Sequence, residues 1–536
     1  MLTVKNPNQL DIFDPWEFLT PKRRSLLDNS WPGLFRHQIL PSIPIHKIAR
    51  YFDETSGRPT KELYAMAGAL ILQQTLDLTD EETVRQYAFD LQWHYALNIT
   101  EESDTAKYLS LKTLWNNRDI VSRNNLEADI FKAGTGKLVQ VFGVNIDKQR
   151  IDSVHIKSNM RRLSRIGIFS ESIHKFLVNL KRGHQDRFES IEKVVVDRYL
   201  TETALGCFSR VKPSESKKTL KEVSRDLFDL VQQFKGIPEV TSMYSYQLLE
   251  RVLNEHCNLT EDKDNPVELK ESKEIPSDSL QNPSDPDATY SGHKGQGYQV
   301  QIMETFCDDE QKKEESLNLI THVEVEPAHH SDANALIPAI ESTQEQNLKP
   351  KELTGDSLYG SDDNCQKAKG HGVELISPTM GSVEKDKLSL ADFQISERGE
   401  VIACPRGNAP AKVKKRKKAS IGFAPQDCQH CPNLENCPVK KGKKYYYLRF
   451  TDKEMRIARR RIYEQSEEFK DRYRWRAGVE ATMSEYDRRT KVKRLRVRGL
   501  KAVRYCATLK ALGVNIFRAA AFRAAKMMPA PAFCEV

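Results

Sequence analysis

The chain has 536 residues, of which 39% are hydrophobic and 29% charged, and this balance is typical of a folded protein rather than a disordered one. No apolar run reaches the ~20 residues of a membrane helix, and the first residues lack a secretory signal pattern. Ten cysteines are too few for a disulfide scaffold of this length. We therefore expect a cytoplasmic protein with no membrane partner.

The charge is divided unevenly along the chain. Residues 401–536 contain 34 Lys and Arg against 12 Asp and Glu, a net charge of +22, whereas residues 1–400 carry a net charge of −14. A strongly basic segment of this kind indicates an anionic partner, most often nucleic acid. The alternative is a set of solvated helix faces without a ligand.

The first 140 residues have helical periodicity. Apolar residues recur at helical spacing after Pro59, which predicts that a helix begins there. A second helix is predicted to begin with a capping box formed by Thr79 and Glu82. We expect an all-helical N-terminal domain over residues 1–140.

A strand and a helical segment follow. Residues 151–156 alternate, with Asp152 on the same face as Val154, which predicts a strand. Helical periodicity returns over 160–256, and an acidic, Pro-containing linker is expected over 260–288. We expect 160–290 to be a helical insertion plus linker within a domain that spans 141–530.

The next segments alternate strands with helices, which predicts a mixed α/β (α+β) sheet. Glycines at 292, 295 and 297 precede the first of these strands, so they predict a hairpin rather than a nucleotide-binding loop. The helix after the second strand is expected to be capped by Ser331. The predicted strands are 298–306, 318–325, 351–356 and 373–376, and the predicted helices are 331–340, 361–369, one long helix over 451–490, and 503–525.

Three acidic residues form a candidate metal site. Asp152 and Asp356 each lie on a predicted strand, and two such carboxylates brought together repel each other unless a cation lies between them. Mg²⁺ prefers oxygen ligands of this kind. Glu480 lies on the predicted long helix. Helical spacing puts three neighbours on the same face as Glu480, namely Tyr473, Arg476 and Ser484. Taken singly, an acid at a strand end is usually a cap, a turn residue or a surface ion-pair partner, and one on a charged helix is usually solvated.

Two further acidic residues, Asp285 and Asp287, lie in the expected linker. A turn is the first interpretation of their Ser-Asp-Pro-Asp-Ala context, and an approach to the metal site is the second.

Four cysteines are clustered with the spacing C-x23-C-x2-C-x5-C, within a cysteine-rich basic insertion that we expect over 385–445. Such a set suits either a structural tetrahedral Zn²⁺ or thiols without a metal. His430 is an alternative ligand for one of the four. The candidate zinc ligands are Cys404, Cys428, Cys431 and Cys437.

Two basic runs, 412–418 and 491–498, are candidate contacts for DNA phosphates, the second as an edge strand or extended segment. The first is alternatively a solvated loop. The predicted DNA-binding residues are Tyr473, Arg476, Arg488, Arg489, Lys491, Lys493, Arg494, Arg496, Arg498, Lys414, Lys415 and Arg416.

The chain resembles bacterial insertion-sequence transposases of the DDE class. The segments that carry this resemblance are 57–99 in the helical region, IDSVHI at 151–156, TGDSLYGSDDN at 354–364, and 473–499 with its Tyr-x2-Arg-x3-Glu pattern. The resemblance implies a helical N-terminal transposase domain and an RNase H-like catalytic core. It also implies that Asp152, Asp356 and Glu480 bind Mg²⁺ or Mn²⁺ as the catalytic residues.

The function implied by this resemblance is Mg²⁺-dependent cleavage and strand transfer of double-stranded DNA at the terminal inverted repeats and target of an insertion sequence. A homo-oligomer on DNA, associated with the nucleoid, is implied as well. The alternative is a DNA-binding protein that descends from a transposase and has lost catalysis. One departure from the family pattern is Asp487, which stands where a Lys or Arg is usual, and the distance from Asp152 to Asp356 is also long.

Overall fold

The computed structural model describes residues 1–7, 14–200, 212–262, 264–382, 384, 386–414 and 418–527. Among these residues, no helix combines the length and the apolar character that crossing a bilayer requires. The fold is a mixed α/β arrangement, as the sequence predicts, with a helical N-terminal region.

The N-terminal region is helical up to Phe142. The capping box predicted at Thr79 is present: its side chain accepts from the Glu82 N–H, and the Glu82 carboxylate accepts from the Thr79 N–H. The preceding helix begins at Leu63 rather than near Pro59, because Glu62 caps its first turn. The helices are α1 (Pro21–Asp28), α2 (Trp31–Leu34), α3 (Ile45–Ala49), α4 (Leu63–Thr75), α5 (Asp80–Phe89), α6 (Leu91–Ala96), α7 (Asp104–Lys107), α8 (Leu111–Arg123) and α9 (Leu126–Phe142).

The first strand of the main sheet is followed by a helical segment with its own hydrophobic core. Apolar residues of α13 at the predicted spacing, from Val223 to Phe234, face this core and are buried. These elements are β1 (Lys148–Ile156), α10 (Arg165–Gly183), α11 (Gln185–Glu189), α12 (Lys193–Tyr199), α13 (Ser216–Phe234), α14 (Pro238–Thr241), α15 (Tyr244–His256), β2 (Cys257–Leu259) and β3 (Val267–Leu269).

The segment expected to be a linker is folded onto the protein. β2 and β3 form an antiparallel hairpin, and residues 279–282 are buried. Asp285 is fully buried, where it accepts hydrogen bonds from the Tyr298 hydroxyl (2.5 Å) and from the Gly499 N–H (3.0 Å). Asp287 accepts from the Leu500 N–H (2.9 Å), so the two acids cap the helix that begins at Leu500 rather than approaching the candidate metal site.

The main sheet has six strands. Its order is β4-β5-β1-β7-β8, with β6 also paired to β5; the β1–β5 and β5–β6 pairs are antiparallel, and the β1–β7 and β7–β8 pairs are parallel. The predicted hairpin at 292–297 is the β4–β5 turn. These elements are β4 (Thr289–Ser291), β5 (Gly295–Thr305), β6 (Ile320–Pro327), α16 (Leu336–Glu345), β7 (Glu352–Thr354), α17 (Asp362–Gly370) and β8 (Glu374–Ile376).

A smaller lobe interrupts the chain after the sheet. Its core is formed by apolar residues that include Phe393, Ile421 and Leu448. The elements are β9 (Gln394–Ile395), β10 (Val401–Ala403), β11 (Lys412–Lys414), β12 (Ala419–Phe423), α18 (Pro425–Cys428), β13 (Lys440–Lys441) and β14 (Tyr446–Phe450). The C-terminal helices then follow as α19 (Asp452–Tyr463), α20 (Glu467–Tyr473), α21 (Gly478–Thr490) and α22 (Leu500–Met527).

The last helix joins the N-terminal helices to the sheet. Leu509 and Leu512 of α22 lie in one buried cluster with residues of α4 and α9 and with Val300 and Ile302 of β5. Asn515 exchanges two 2.8 Å hydrogen bonds with the backbone of Ile320 at the start of β6. The N-terminal helices therefore share a hydrophobic core with the C-terminal part of the chain.

Candidate functional site

The two aspartates lie side by side on the sheet. β1 and β7 are parallel, and Arg150 pairs with Thr354, so continuing the register by two residues places Asp152 beside Asp356 just beyond the end of β7. Side chains two residues apart point to the same face, and neighbouring strands are ~4.8 Å apart. Both carboxylates therefore lie on one face of the sheet.

Asp152 is mostly buried and pairs with an arginine. Its side chain is 15% exposed, and Arg476 Nη2 donates to Asp152 Oδ2 at 2.6 Å. Burial raises the pKa of the Asp152 carboxyl, and the negative charges of Asp356 and Asp332 raise it too, whereas Arg476 and the Ser153 N–H act in the opposite direction. The carboxylate thus has both a cationic partner and a like-charged neighbour.

Glu480 reaches the same guanidinium from the first turn of α21. Its Oε1 lies 3.6 Å from Arg476 Nη1, and its side chain is 74% exposed. Arg476 therefore bridges Asp152 and Glu480. Carboxylate oxygens suit Mg²⁺, although in the described part of the chain no three His, Cys, Asp or Glu side chains are gathered around one metal position.

The helix that carries Glu480 is shorter than predicted. The single helix expected over 451–490 is wrong: Ser466 caps a new helix, α20, and a 3-10 turn over Arg474–Ala477 separates α20 from α21. Tyr473, Arg476 and Glu480 thus belong to three successive elements rather than to one helical face.

Tyr473 nevertheless lies beside the acidic residues. Its ring stacks on that of Phe469, with centroids 5.4 Å apart and planes 13° apart. Burial raises the pKa of the Tyr473 hydroxyl, and the charges of Asp356 and Asp152 add to this effect. The negative charges of both aspartates therefore act on the ionisation of the Tyr473 hydroxyl.

The α21 helix is fixed to the sheet by a buried ionic network. Glu304 on β5 is fully buried and accepts from Arg150 Nε (2.8 Å), from the Thr482 hydroxyl (2.7 Å) and from Arg518 Nη1 (2.9 Å). Arg150 also donates to the Trp475 carbonyl at 2.7 Å. The sheet, α21 and α22 thus meet at the Glu304 carboxylate, which contacts α21 at Thr482, two residues after Glu480.

Sequence reasoning missed a second polar network on the sheet. Tyr359 donates to Gln301 (2.7 Å), and Gln301 donates to Asp332 (2.8 Å). Lys294 Nζ lies 3.4 Å from Asp332 and donates to the Ser153 hydroxyl at 2.7 Å. This chain of contacts joins the turn after Asp356 to the residue that follows Asp152.

No local sequence pattern predicts this network, because its members come from four separate segments of the chain. Ser331 was expected to cap a helix, whereas its side chain makes no cap and a 3-10 turn precedes α16 at Leu336. Asp332 falls inside the helix predicted over 331–340, so the sequence pattern does not connect it with the acidic residues of the site.

The predicted DNA-binding cations divide into two groups. Arg489 pairs with Glu485, Arg496 with Asp77, and Arg498 donates to the Asn159 carbonyl, so these three are engaged within the protein. The others on this segment are exposed and make no ion pair with described residues; they are Arg488, Lys491, Lys493 and Arg494. Lys414 is exposed on β11, and Lys415 and Arg416 lie outside the described residues.

The segment after α21 begins with a turn at Val492 and Lys493, and the residues that follow run beside the end of β1. Lys157 and Arg494 form an isolated parallel bridge at the end of β1. Asp487, which departs from the family pattern, accepts from the Lys493 N–H at 3.1 Å and so stabilises the turn after α21. Lys491 ends the helix in the left-handed region with φ of 56°.

The four clustered cysteines line one small cavity of the lobe. Burial raises the pKa of the Cys428 thiol to about 11, and the charges of the other three thiols contribute. No set of three such ligands is positioned for a metal among the described residues, so the structure does not support the zinc prediction. His430 likewise joins no such set.

Comparison with known protein families gives two matches. The family described as "Transposase domain (DUF772)" matches residues 27–119, which cover α2 to α8. The family described as "Transposase DDE domain" matches residues 403–520, which include Glu480 but neither aspartate. No curated protein and no solved structure matches the chain. The N-terminal match and the C-terminal DDE match together support an insertion-sequence DDE transposase.

Proposed function

We propose that this transposase cleaves DNA at the ends of its element and joins the freed 3′ ends to target DNA, using Asp152, Asp356 and Glu480 as Mg²⁺ ligands. The observation that supports this proposal is the register of β1 and β7, which brings Asp152 beside Asp356 when it is continued by two residues. Arg476 connects this pair to Glu480.

The reaction consists of two in-line displacements at phosphorus. A water oxygen attacks first and the DNA 3′ oxygen leaves. That 3′ hydroxyl then attacks a phosphate of the target strand, and the 3′ oxygen of the target strand leaves. Asp152, Asp356 and Glu480 would hold Mg²⁺, which when bound would supply Lewis-acid stabilisation of the charge on the phosphoryl oxygens and lower the pKa of the attacking oxygen. Mn²⁺ has the same preference for oxygen ligands and would serve as well.

The side chains of the site have distinct tasks in this proposal. The carboxylates offset the charge of the metal and fix its position. Arg476 donates a hydrogen bond to Asp152, and its guanidinium would be available to bind the scissile phosphate if a cation were held at that carboxylate. Tyr473, stacked on Phe469, offers its hydroxyl as a donor to the flanking phosphate.

The exposed cations after α21 extend the site along the DNA. Four cations have no ion-pair partner among the described residues and come eight to fourteen residues after Glu480; they are Arg488, Lys491, Lys493 and Arg494. Their charge favours binding to the phosphate backbone, with an affinity that falls as salt is added. Capture of two element ends by one assembly favours a homo-oligomer on DNA.

The RNase H-like core is part of this proposal. Three antiparallel strands, β6, β5 and β1, extended by the parallel strands β7 and β8, support it. Action in the cytoplasm, at the nucleoid where chromosomal DNA lies, stays a prediction. The domain division at residue 140 and the insertions at 160–290 and 385–445 stay predictions too.

The experiment is a cleavage and joining assay with purified full-length protein. The substrate is a plasmid that carries the inverted repeats flanking the coding region. We expect Mg²⁺-dependent strand cuts at the repeat ends, lost in Asp152→Asn, Asp356→Asn and Glu480→Gln. The matched control is Glu467→Gln, which removes an exposed carboxylate (91% exposed) from the neighbouring helix α20 and should leave cleavage unchanged.

Two results would point elsewhere. Cleavage that survives Asp152→Asn would show that the active site is misassigned. A wild-type protein that binds the repeats but neither cuts nor joins them would favour the alternative function, a DNA-binding protein that descends from a transposase and has lost catalysis.

A further inference from the structure

The smaller lobe contains a sheet with two unlike faces. Its four strands run in the order β11-β12-β14-β13, all antiparallel. One face carries Ile421, Leu448 and Phe450, which are buried in the core of the lobe. Since side chains alternate along a strand, the residues between these point to the opposite face, which we call the outer face.

The outer face is basic. Across the strands, Lys412 pairs with Gly422, Gly422 with Tyr447, and Tyr447 with Lys440, so two lysines lie at the two ends of one row. In the next row, Lys414 pairs with Ser420 and Ser420 with Arg449. The lysines and Arg449 are exposed.

No negative charge balances this face within its own strands. Residues 401–426 and 436–451 contain twelve Lys and Arg and no Asp or Glu. Lys412, Lys414, Lys440 and Arg449 form no ion pair with any described residue. Elsewhere in the described chain arginines pair closely with acids, as Arg472 does with Glu352 (2.7 Å). Like charges held together in this way repel one another, so the face favours an anionic ligand.

Two tyrosines lie beside the cations of this face. Tyr445 lies over Gly422, where a Cβ would come within 3.0 Å of the Tyr445 Cβ. Lys412 Nζ lies 6.0 Å from the centroid of the Tyr445 ring, and the Arg449 guanidinium lies 5.6 Å from that of Tyr447. These cation–π contacts position the charges without neutralising them.

We propose that the outer face of this sheet is a second DNA-contacting surface, which binds the phosphate backbone of duplex DNA without reading its sequence. Lys412 and Lys440 are separated by three strand spacings, about 14 Å, close to the ~12 Å width of the major groove. Lysines at this separation reach phosphates on both sides of one groove. The proposal rests on the proposed function for the ligand, DNA, and involves none of the catalytic carboxylates.

The test measures binding of the full-length protein to a short fluorescein-labelled duplex of random sequence, in buffer without divalent metal, by fluorescence anisotropy over a range of KCl concentrations. The variant is Lys412→Gln/Lys440→Gln/Arg449→Gln. The matched control is Lys217→Gln/Lys221→Gln/Lys235→Gln, which removes three exposed lysines from α13 and the turn after it. Polyglutamate serves as an acidic polypeptide competitor.

We expect the triple variant to bind the duplex about ten- to a hundredfold more weakly at ~0.1 M salt, with the slope of log affinity against log salt smaller by about 2 to 3. The α13 control should bind like wild type. Far-UV circular dichroism checks that each variant is folded.

Four outcomes would overturn the proposal. Unchanged duplex binding by the sheet variant, with binding lost in Arg488→Gln/Lys493→Gln/Arg494→Gln, would refute the sheet surface and leave the proposed function standing. An equal loss in the α13 control would show a general charge effect. Loss of polyglutamate binding alone would indicate an acidic protein partner. A wild-type protein with no affinity for DNA would refute both proposals.

Discussion

Replacing Arg518 by Met tests the buried network that holds α21 against the sheet. Arg518 is 14% exposed and contacts Glu304 (2.9 Å), Glu485 (2.8 Å) and the Thr482 hydroxyl (2.7 Å). Without it, the fully buried Glu304 keeps only Arg150 and Thr482. Removing one partner of a buried ion pair costs about 3–5 kcal/mol, because an uncompensated charge remains inside the protein.

This free energy is large beside the ~5–15 kcal/mol stability of a typical domain. We expect Arg518→Met to lower the urea midpoint markedly, with unfolding followed by circular dichroism. The matched control is Arg523→Met, the same change on the same helix, where the side chain has no ion pair with described residues. Adding Glu304→Gln to Arg518→Met should recover part of the loss, since it removes the stranded charge.

The reasoning would be refuted if Arg518→Met and Arg523→Met had the same stability within ~0.5 kcal/mol, or if Glu304→Gln made the double variant worse than the sum of the single changes. Either result would mean that Glu304 is not charged and paired as its contacts indicate.

Three further predictions concern folding. Gly478→Ala should destabilise the protein by about 1–3 kcal/mol, because a Cβ there overlaps the Arg150 guanidinium and displaces it from its bonds; Gly136→Ala, where the space is open, is the control, and equal thermal shifts would contradict the account. Burial lowers the pKa of His322 to about 4, so between pH 6.5 and 4 the unfolded chain binds a proton that the folded protein does not. The free energy of unfolding should therefore fall as the pH drops through this range, by about 2 kcal/mol at pH 5. Chemical denaturation at pH 7 and pH 5 measures this fall, which should be smaller in His322→Gln. Thr79→Ala should cost about 1 kcal/mol by removing the capping box, whereas no change in the urea midpoint would mean that α5 does not need this cap.

Local patterns predicted the elements with strong local causes. The capping box at Thr79, the buried face of α13 and the mixed sheet all depend on short spacings or alternation, and all are present. The prediction of one helix over 451–490 was wrong because the charged residues of this segment are good helix formers throughout. Its interruption depends on the Ser466 cap and on the close approach of Gly478 to Arg150, a residue more than 300 positions away.

The site was predictable in part for the same reason. The order and type of Asp152, Asp356 and Glu480 came from the resemblance to the transposase family, and the structure brings the first two together through strand register. Asp332 and its contact Lys294 come from separate segments joined only by the sheet, so no local signal revealed them. The linker's role as a cap of α22 likewise needed the fold, since Asp285 bonds a residue 214 positions later.

The central claim is that Asp152 on β1 and Asp356, just beyond the end of β7, hold a divalent metal with Glu480. Titration of the full-length protein with Mn²⁺, with free metal measured by electron paramagnetic resonance, tests it most directly. We predict saturable Mn²⁺ binding that is lost in Asp152→Asn and in Asp356→Asn, and kept in Glu467→Gln. Binding that is the same in wild type and both aspartate variants would contradict the claim.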